Sequence, residues 1–146
     1  MSSVTFSVFG RPIRLKRHRF CRGRVYDPSA KDKREWVEKI PEDSIPEEPF
    51  TEPLRIDIQF LFKRPKAHYR SGKYSHLLKP IYEGKQHTCT PDVDNLAKFC
   101  LDAMNTIMYK DDSQVIELNC RKSYIDEVGK PGETIITIQI IEPSST

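Results

Sequence analysis

The chain has 146 residues, 37 % hydrophobic and 31 % charged, with a formal net charge of +3 at pH 7. That length supports one domain with its own core, and the composition excludes a disordered acidic chain or a fibrous repeat. No apolar run approaches the roughly 18 residues of a membrane span. The opening residues lack the basic and apolar regions of a secretory leader, so an intracellular protein, in cytoplasm or nucleoid, is expected.

Residues 4–9 alternate in side-chain type and read as a strand ending at Gly10. From Gly10 to Arg24 there are seven basic residues (Arg11, Arg14, Lys16, Arg17, Arg19, Arg22, Arg24) and no acid. Asp27-Pro28 is a helix-start signal, and the helix it opens runs to Ile40, where Pro41 stops it. Trp36, Val37 and Ile40 fall at core spacing on it. The acidic, proline-rich residues 41–53 read as a surface loop. Leu54 to Phe62 alternates strictly and predicts a strand.

Residues 63–90 show little periodicity, and Lys63, Arg64 and Lys66 begin a second basic run. A stretch that long inside a small domain points to function, mobility or a short helix near residues 75–79. Residues 93–108 predict a helix. Residues 115–124 and 133–141 predict strands, joined as a hairpin across 126–132. Residues 143–146 read as a short low-complexity end. The elements add up to a single α+β domain spanning 1–146, with a mixed sheet of about four strands and two main helices packed on it.

The modest net charge hides an asymmetry. The two basic segments hold most of the positive charge and leave the rest of the chain net acidic, a pattern that suits a polyanion partner. A solvated basic surface without a partner is the alternative. His18, His68, His76 and His87 have no spacing that suggests a metal or a nucleophile, and are assigned to the surface or to nucleic-acid contacts. Tyr69, Tyr74 and Tyr82 either stack on unpaired bases or pack on the core. Cys21, Cys89, Cys100 and Cys120 form no C-x-x-C pair, which argues against a zinc ribbon and for reduced thiols.

The chemically informative stretch is Pro91-Asp92-Val93-Asp94-Asn95-Leu96-Ala97-Lys98, continued by Asp102 and Asn105. At about 100° per residue, Lys98 falls about 40° and Asp102 about 80° from Asp94, on a narrow polar stripe beside a wide apolar face. Lys110-Asp111-Asp112-Ser113-Gln114 follows just before a strand. Phosphodiester hydrolysis needs an activated water and compensation for charge in the transition state. A Mg²⁺ ion, or Mn²⁺ in its place, supplies both and prefers oxygen ligands. Carboxylates from a helix start and a strand start can hold such an ion, and an ammonium nearby can meet the phosphate. The plainer reading is equally open on spacing alone. Acids favour a first helical turn, Asp94 and Lys98 can form an i,i+4 salt bridge, and Asp-Asp-Ser is good turn chemistry.

These residues together resemble the signature of RusA-type Holliday junction resolvases. The resemblance runs through Pro91-Asp92-Val93-Asp94-Asn95-Leu96, Lys98, Leu101-Asp102-Ala103-Met104-Asn105 and Asp111-Asp112-Ser113-Gln114-Val115. The stretches Gly10-Arg11-Pro12 and Arg22-Gly23-Arg24-Val25-Tyr26-Asp27-Pro28 are similar to that family's opening. The resemblance implies a homodimer that cuts four-way DNA junctions with a divalent metal, leaving 5′-phosphate and 3′-hydroxyl ends. It implies Asp92, Asp94 and Asp112 as metal ligands and catalytic residues, with Lys98 as the catalytic ammonium. Asn95, Asp102 and Asp111 are expected as supporting groups around them. Arg11, Arg14, Lys16, Arg17, Arg19, Arg22, Arg24, Lys63, Arg64 and Lys66 are expected to face DNA. A nuclease for flaps or forks, or a catalytically silent nucleic-acid-binding module, are the alternatives.

Overall fold

The computed structural model describes residues 2–143; the last residues of the low-complexity end, 144–146, lie outside them. In chain order it contains strands β1 (Ser3–Phe9), β2 (Arg19–Cys21) and β3 (Arg24–Tyr26), helix α1 (Ala30–Glu38), strand β4 (Leu54–Lys63), helix α2 (Val93–Met104), and strands β5 (Val115–Ile125) and β6 (Glu133–Ile140). β4 follows its sequence period. Leu54, Ile56, Ile58, Phe60 and Phe62 are buried and the residues between them are not, as a sheet with one covered face requires. The main sheet has the order β1-β6-β4-β5. β6 runs antiparallel to both neighbours, and β5 runs parallel to β4 at the edge. Both helices join the core on the covered face, where Trp36 meets Phe99 edge-on with 6.2 Å between ring centroids. Trp36 and Ile40 are buried and Val37 packs against the core, as their spacing predicts. The opposite face is polar, with Arg55 bridging Asp57 and Glu117 at 3.4 Å each.

The fold class is as expected, and several local expectations are corrected. β5 and β6 do not form a hairpin, because β4 lies between them. The chain instead crosses the end of β4 through residues 126–132. Gly132 makes the crossing fit: a Cβ there would stand 2.9 Å from the Leu61 carbonyl oxygen and 3.2 Å from that of Gly10. The helix expected over 93–108 ends at Met104. Asn105 is extended, Thr106 turns left-handed at φ 70°, and the fully buried Tyr109 folds back so that its carbonyl accepts from the Thr106 N–H at 2.8 Å. α1 starts at Ala30 because Asp27 first closes a turn, its Oδ1 accepting from the Ser29 N–H at 2.9 Å.

Residues 63–90 contain no helix at 75–79. They fold through 3-10 turns at Lys66–His68, Gly72–Tyr74 and Pro80–Tyr82. A cluster of rings pins them to the sheet. His68 stacks on Tyr82 at 4.1 Å, His87 lies 4.4 Å from Phe62 and 4.7 Å from Tyr124, and the Arg64 guanidinium sits 4.9 Å over Tyr124. His68 and His87, expected at the surface, are therefore buried. Tyr82 spends its ring face on His68. β2 and β3 form a hairpin that the basic run concealed, with its turn at Arg22 (φ 52°) and Gly23 (φ 75°).

Candidate active site

Asp92 caps α2 in extended backbone, with its carbonyl accepting from the Leu96 N–H at 3.1 Å, but its carboxylate makes no capping hydrogen bond. Asp94 is exposed in the first turn and Lys98 is exposed one turn further on. Among the described residues Lys98 forms no ion pair with Asp94, so the salt bridge of the plainer reading is not made. The start of α2 is held from both sides. The Asn95 carbonyl accepts from the Leu15 N–H at 3.2 Å, while the Asn95 side chain is exposed. From β5, Lys122 Nζ donates to the carbonyls of Cys89 at 2.6 Å and Pro91 at 2.9 Å. Sequence reasoning missed Lys122. Its signal was phase: it stands beside Phe60, among residues facing the helices, where a charge needs a reason.

Asp111 and Asp112 take different positions. Asp111 caps the 3-10 turn Asp112–Gln114: its Oδ2 accepts from the Ser113 N–H at 3.1 Å, and its own N–H donates to Gln114 Oε1 at 2.9 Å. Hydrogen bonds from Ser113 hold the Asp111 carboxyl below the usual carboxylate range. Gln114 Nε2 then ties the turn to the carbonyls of Phe50 at 2.8 Å and Glu52 at 3.0 Å. Asp112 is exposed, with no ion pair among the described residues.

Asp112 stands apart from Asp92 and Asp94. It lies within electrostatic reach of the Tyr109 hydroxyl, which burial pushes well above its ordinary pKa, with the charges of Asp112, Asp102 and Asp111 adding to the effect. That hydroxyl donates to the Leu101 carbonyl at 2.6 Å. Leu101 is seven residues beyond Asp94, or about 10 Å along the helix axis. Consistent with this, no three His, Cys, Asp or Glu side chains among the described residues stand close enough to hold one metal ion. The structure thus brings Asp92, Asp94 and Lys98 to one end of α2 and leaves Asp112 toward the other.

Asp102 lies beside α1. Lys33 Nζ, 2.7 Å from Asp27 Oδ2, also lies 3.7 Å from Asp102 Oδ2, so Asp102 ties α2 to α1.

The basic residues border the Asp92 end. A cavity of about 510 Å³ beside Asn95 is lined by Arg14, Lys16 and Arg17. A second of about 680 Å³ is lined by Arg11, Lys63, Arg64 and Lys66, and reaches Thr90 just before the carboxylates. Arg22 and Arg24 are exposed on the β2–β3 hairpin, and the Arg19 side chain lies outside the described part. Arg64 departs from expectation. Its side chain is 4 % exposed, 3.4 Å from Asp126, and is part of the ring cluster instead of the surface.

The chain is 35 % identical over 138 residues to the uncharacterized protein YqaN of Bacillus subtilis (strain 168), a match covering 87 % of this chain and 92 % of that protein. The profile of the family described as Endodeoxyribonuclease RusA matches residues 10–139, which takes in both basic segments, all of α2 and the Asp111-Asp112 turn. The chain belongs to the RusA endodeoxyribonuclease family.

Proposed function

We propose that this protein is a divalent-metal-dependent endonuclease that resolves four-way DNA junctions, acting as a homodimer in recombination and repair. The observation that carries the reading is the α2 start: two exposed carboxylates that, among the described residues, make no cap and no ion pair, one turn from an exposed lysine that makes none either, and flanked by basic cavities. Asp92 and Asp94 would hold the cation, Mg²⁺ or Mn²⁺, at the α2 start, and Asp112, which the single chain leaves toward the other end of α2, is the third ligand that the resemblance implies. When bound, the ion neutralises phosphate charge and activates the attacking water. Lys98 meets the negative charge that builds on the phosphate in the transition state. Arg14, Lys16 and Arg17 on one side, and Arg11, Lys63 and Lys66 on the other, grip the backbone of the DNA arms. Arg22 and Arg24 extend the first grip along the hairpin.

The test is cleavage of a synthetic four-way junction beside a flap and a plain duplex, with and without Mg²⁺. Wild type is expected to cut the junction only with the metal. Asp92→Asn, Asp94→Asn and Asp112→Asn should abolish cutting while junction binding stays near wild type, because the basic segments carry it. Lys98→Ala should lower the single-turnover rate by on the order of a hundredfold with an unchanged melt, since Lys98 is exposed. Full activity in EDTA, or in any of the three Asn variants, overturns the reading. Preference for the flap reassigns the substrate.

A further inference from the structure

Residues 66–79 close on themselves as a built loop. The Arg70 N–H donates to the Leu77 carbonyl and the Lys79 N–H to that of His68, at 2.9 Å each, and Tyr69 pairs with Leu78 in an antiparallel bridge. Arg70 Nε donates to the Leu78 carbonyl at 3.0 Å, which fixes where its guanidinium stands. Between this loop and residues 127–129 lies a cavity of about 880 Å³, lined by Tyr69 and by Lys63, Lys66, Arg70 and Lys79. The buried Arg64 also lines it, and its Nε has no hydrogen-bond partner among the described residues. Glu127 is the acid among the lining residues, and Lys130 answers its charge at 2.9 Å. A hollow of this kind concentrates positive potential and draws anions.

Tyr69 differs from the neighbouring tyrosines. Tyr82 stacks on His68, Tyr124 carries Arg64 and His87, and Lys73 sits over Tyr74. Tyr69 is half-buried and has no ring or cation against its face among the described residues. An aromatic ring in a cationic hollow suits unpaired nucleotides, whose phosphates meet the cations while a base stacks on the ring. A duplex keeps its base faces inside the stack and cannot use the ring in this way. The cavity also adjoins the carboxylates. It shares Lys63, Arg64, Lys66 and Gly129 with the cavity that reaches Thr90, two residues before Asp92.

We propose that this cavity binds unpaired nucleotides of a DNA strand, with a base on Tyr69 and the phosphates on Lys63, Lys66, Arg70 and Lys79, as the strand continues away from the α2 carboxylates. The continuation to the carboxylates rests on the DNA cleavage proposed above; the single-strand site does not. Branched DNA supplies such a stretch where pairing opens at the branch point, and intact duplex does not.

Two measurements test it, and neither needs cleavage. Fluorescence anisotropy compares a labelled oligothymidylate, an abasic strand of the same length and a plain duplex. Wild type should bind the oligothymidylate at least about tenfold more tightly than the abasic strand, as expected when a base stack is lost. Tyr69→Ala should remove that preference and leave duplex binding unchanged, and Tyr69→Phe should keep it. Lys79→Ala, an exposed position, should keep the preference and shallow the salt slope on oligothymidylate by about 0.7, the value of one phosphate on a single strand. The second measurement is a photo-crosslink. An oligonucleotide carrying thiothymidine, irradiated on wild type, should attach within residues 66–79 when mapped by mass spectrometry. Four results overturn the proposal: a wild type that treats the thymidylate and abasic strands alike, a folded Tyr69→Ala variant with the preference intact, an unchanged slope in Lys79→Ala, or crosslinks that fall elsewhere. Should Tyr69→Ala lose its native circular-dichroism spectrum, the crosslink and Lys79→Ala decide. If the single-strand site is found but wild type cuts no branched DNA with metal, the proposed function falls alone. If wild type cuts junctions and shows no thymidylate preference, the single-strand site falls alone.

Discussion

Lys122 is a charged residue on the helix-facing side of a strand, and its two hydrogen bonds to the Cys89 and Pro91 carbonyls explain its place. Hydrogen bonds from a charged donor are worth about 1.5–3 kcal/mol each when made. Here they fix the backbone that presents Asp92. Lys122→Met keeps the aliphatic stem and removes the donors. The expected result is a folded protein whose half-maximal Mg²⁺ concentration for cleavage rises by about tenfold or more, with activity recovering at saturating metal. Lys122→Arg should recover part of the loss. An unchanged metal requirement in Lys122→Met would show that Asp92 is placed without it. At the same scale, adjacent acids separate: Asp111 spends its carboxylate on the Ser113 N–H, and Asp112 keeps its own free.

Among the elements, the segment 63–90 carries two buried histidines that make its stability depend on pH. Burial lowers the pKa of His68 and His87, with Arg64, Lys85 and Lys79 adding to the effect at His68, and Lys122 and Arg11 at His87. The folded protein therefore prefers both rings neutral, while the unfolded chain protonates them at about the ordinary value of 6.5. Above that pH the two states bind protons alike. As pH falls below it the unfolded state gains protons first, so stability declines until the folded pKa values are passed. Melting temperatures between pH 7.5 and 5.5 should fall for wild type and fall less for a His68→Phe, His87→Phe variant. Equal slopes would remove the histidines from the account.

That ring cluster also shows where the sequence could not be read. His68 and Tyr82 are fourteen residues apart, and Tyr124 comes from another strand, so no local period announces their contact. β4 was legible because its period of two is written residue by residue. The order of strands was not, since β6 entering between β1 and β4 is decided by packing between distant segments. The polar stripe of Asp94 and Lys98 was legible on a helical wheel. A wheel gives angles about an axis, however, and says nothing of where a later turn returns to the helix, so the distance of Asp112 from Asp94 was hidden.

The whole molecule sorts its charge spatially. The basic segments meet around the Asp92 end, and acids such as Asp57 and Glu117 lie on the open sheet face. Each phosphate neutralised on a duplex arm contributes a slope of about −0.9 to a log–log plot of affinity against salt. Replacing Arg14, Lys16 and Arg17 with Ala should shallow the slope by about that amount for each phosphate no longer neutralised, and weaken binding to every DNA shape. Arg64→Ala should act differently. Its guanidinium is buried over Tyr124, so the expected effect is a lower melting temperature with the salt slope kept. A slope unchanged in the triple variant would mean that this face does not touch DNA.

The position of β6 has a consequence for the newborn chain. In order of synthesis it follows every other strand and helix described, yet in the sheet it stands between β1 and β4. Until the ribosome has delivered it, β1 has no neighbour to pair with, and α2 rests on a sheet with its middle missing. The acids and lysine at the α2 start are translated before β5, whose Lys122 holds the segment leading into Asp92, and before β6. A polypeptide caught partway through translation therefore carries the residues for cutting DNA without the framework to align them, and the late, non-local closure of the sheet acts as the release.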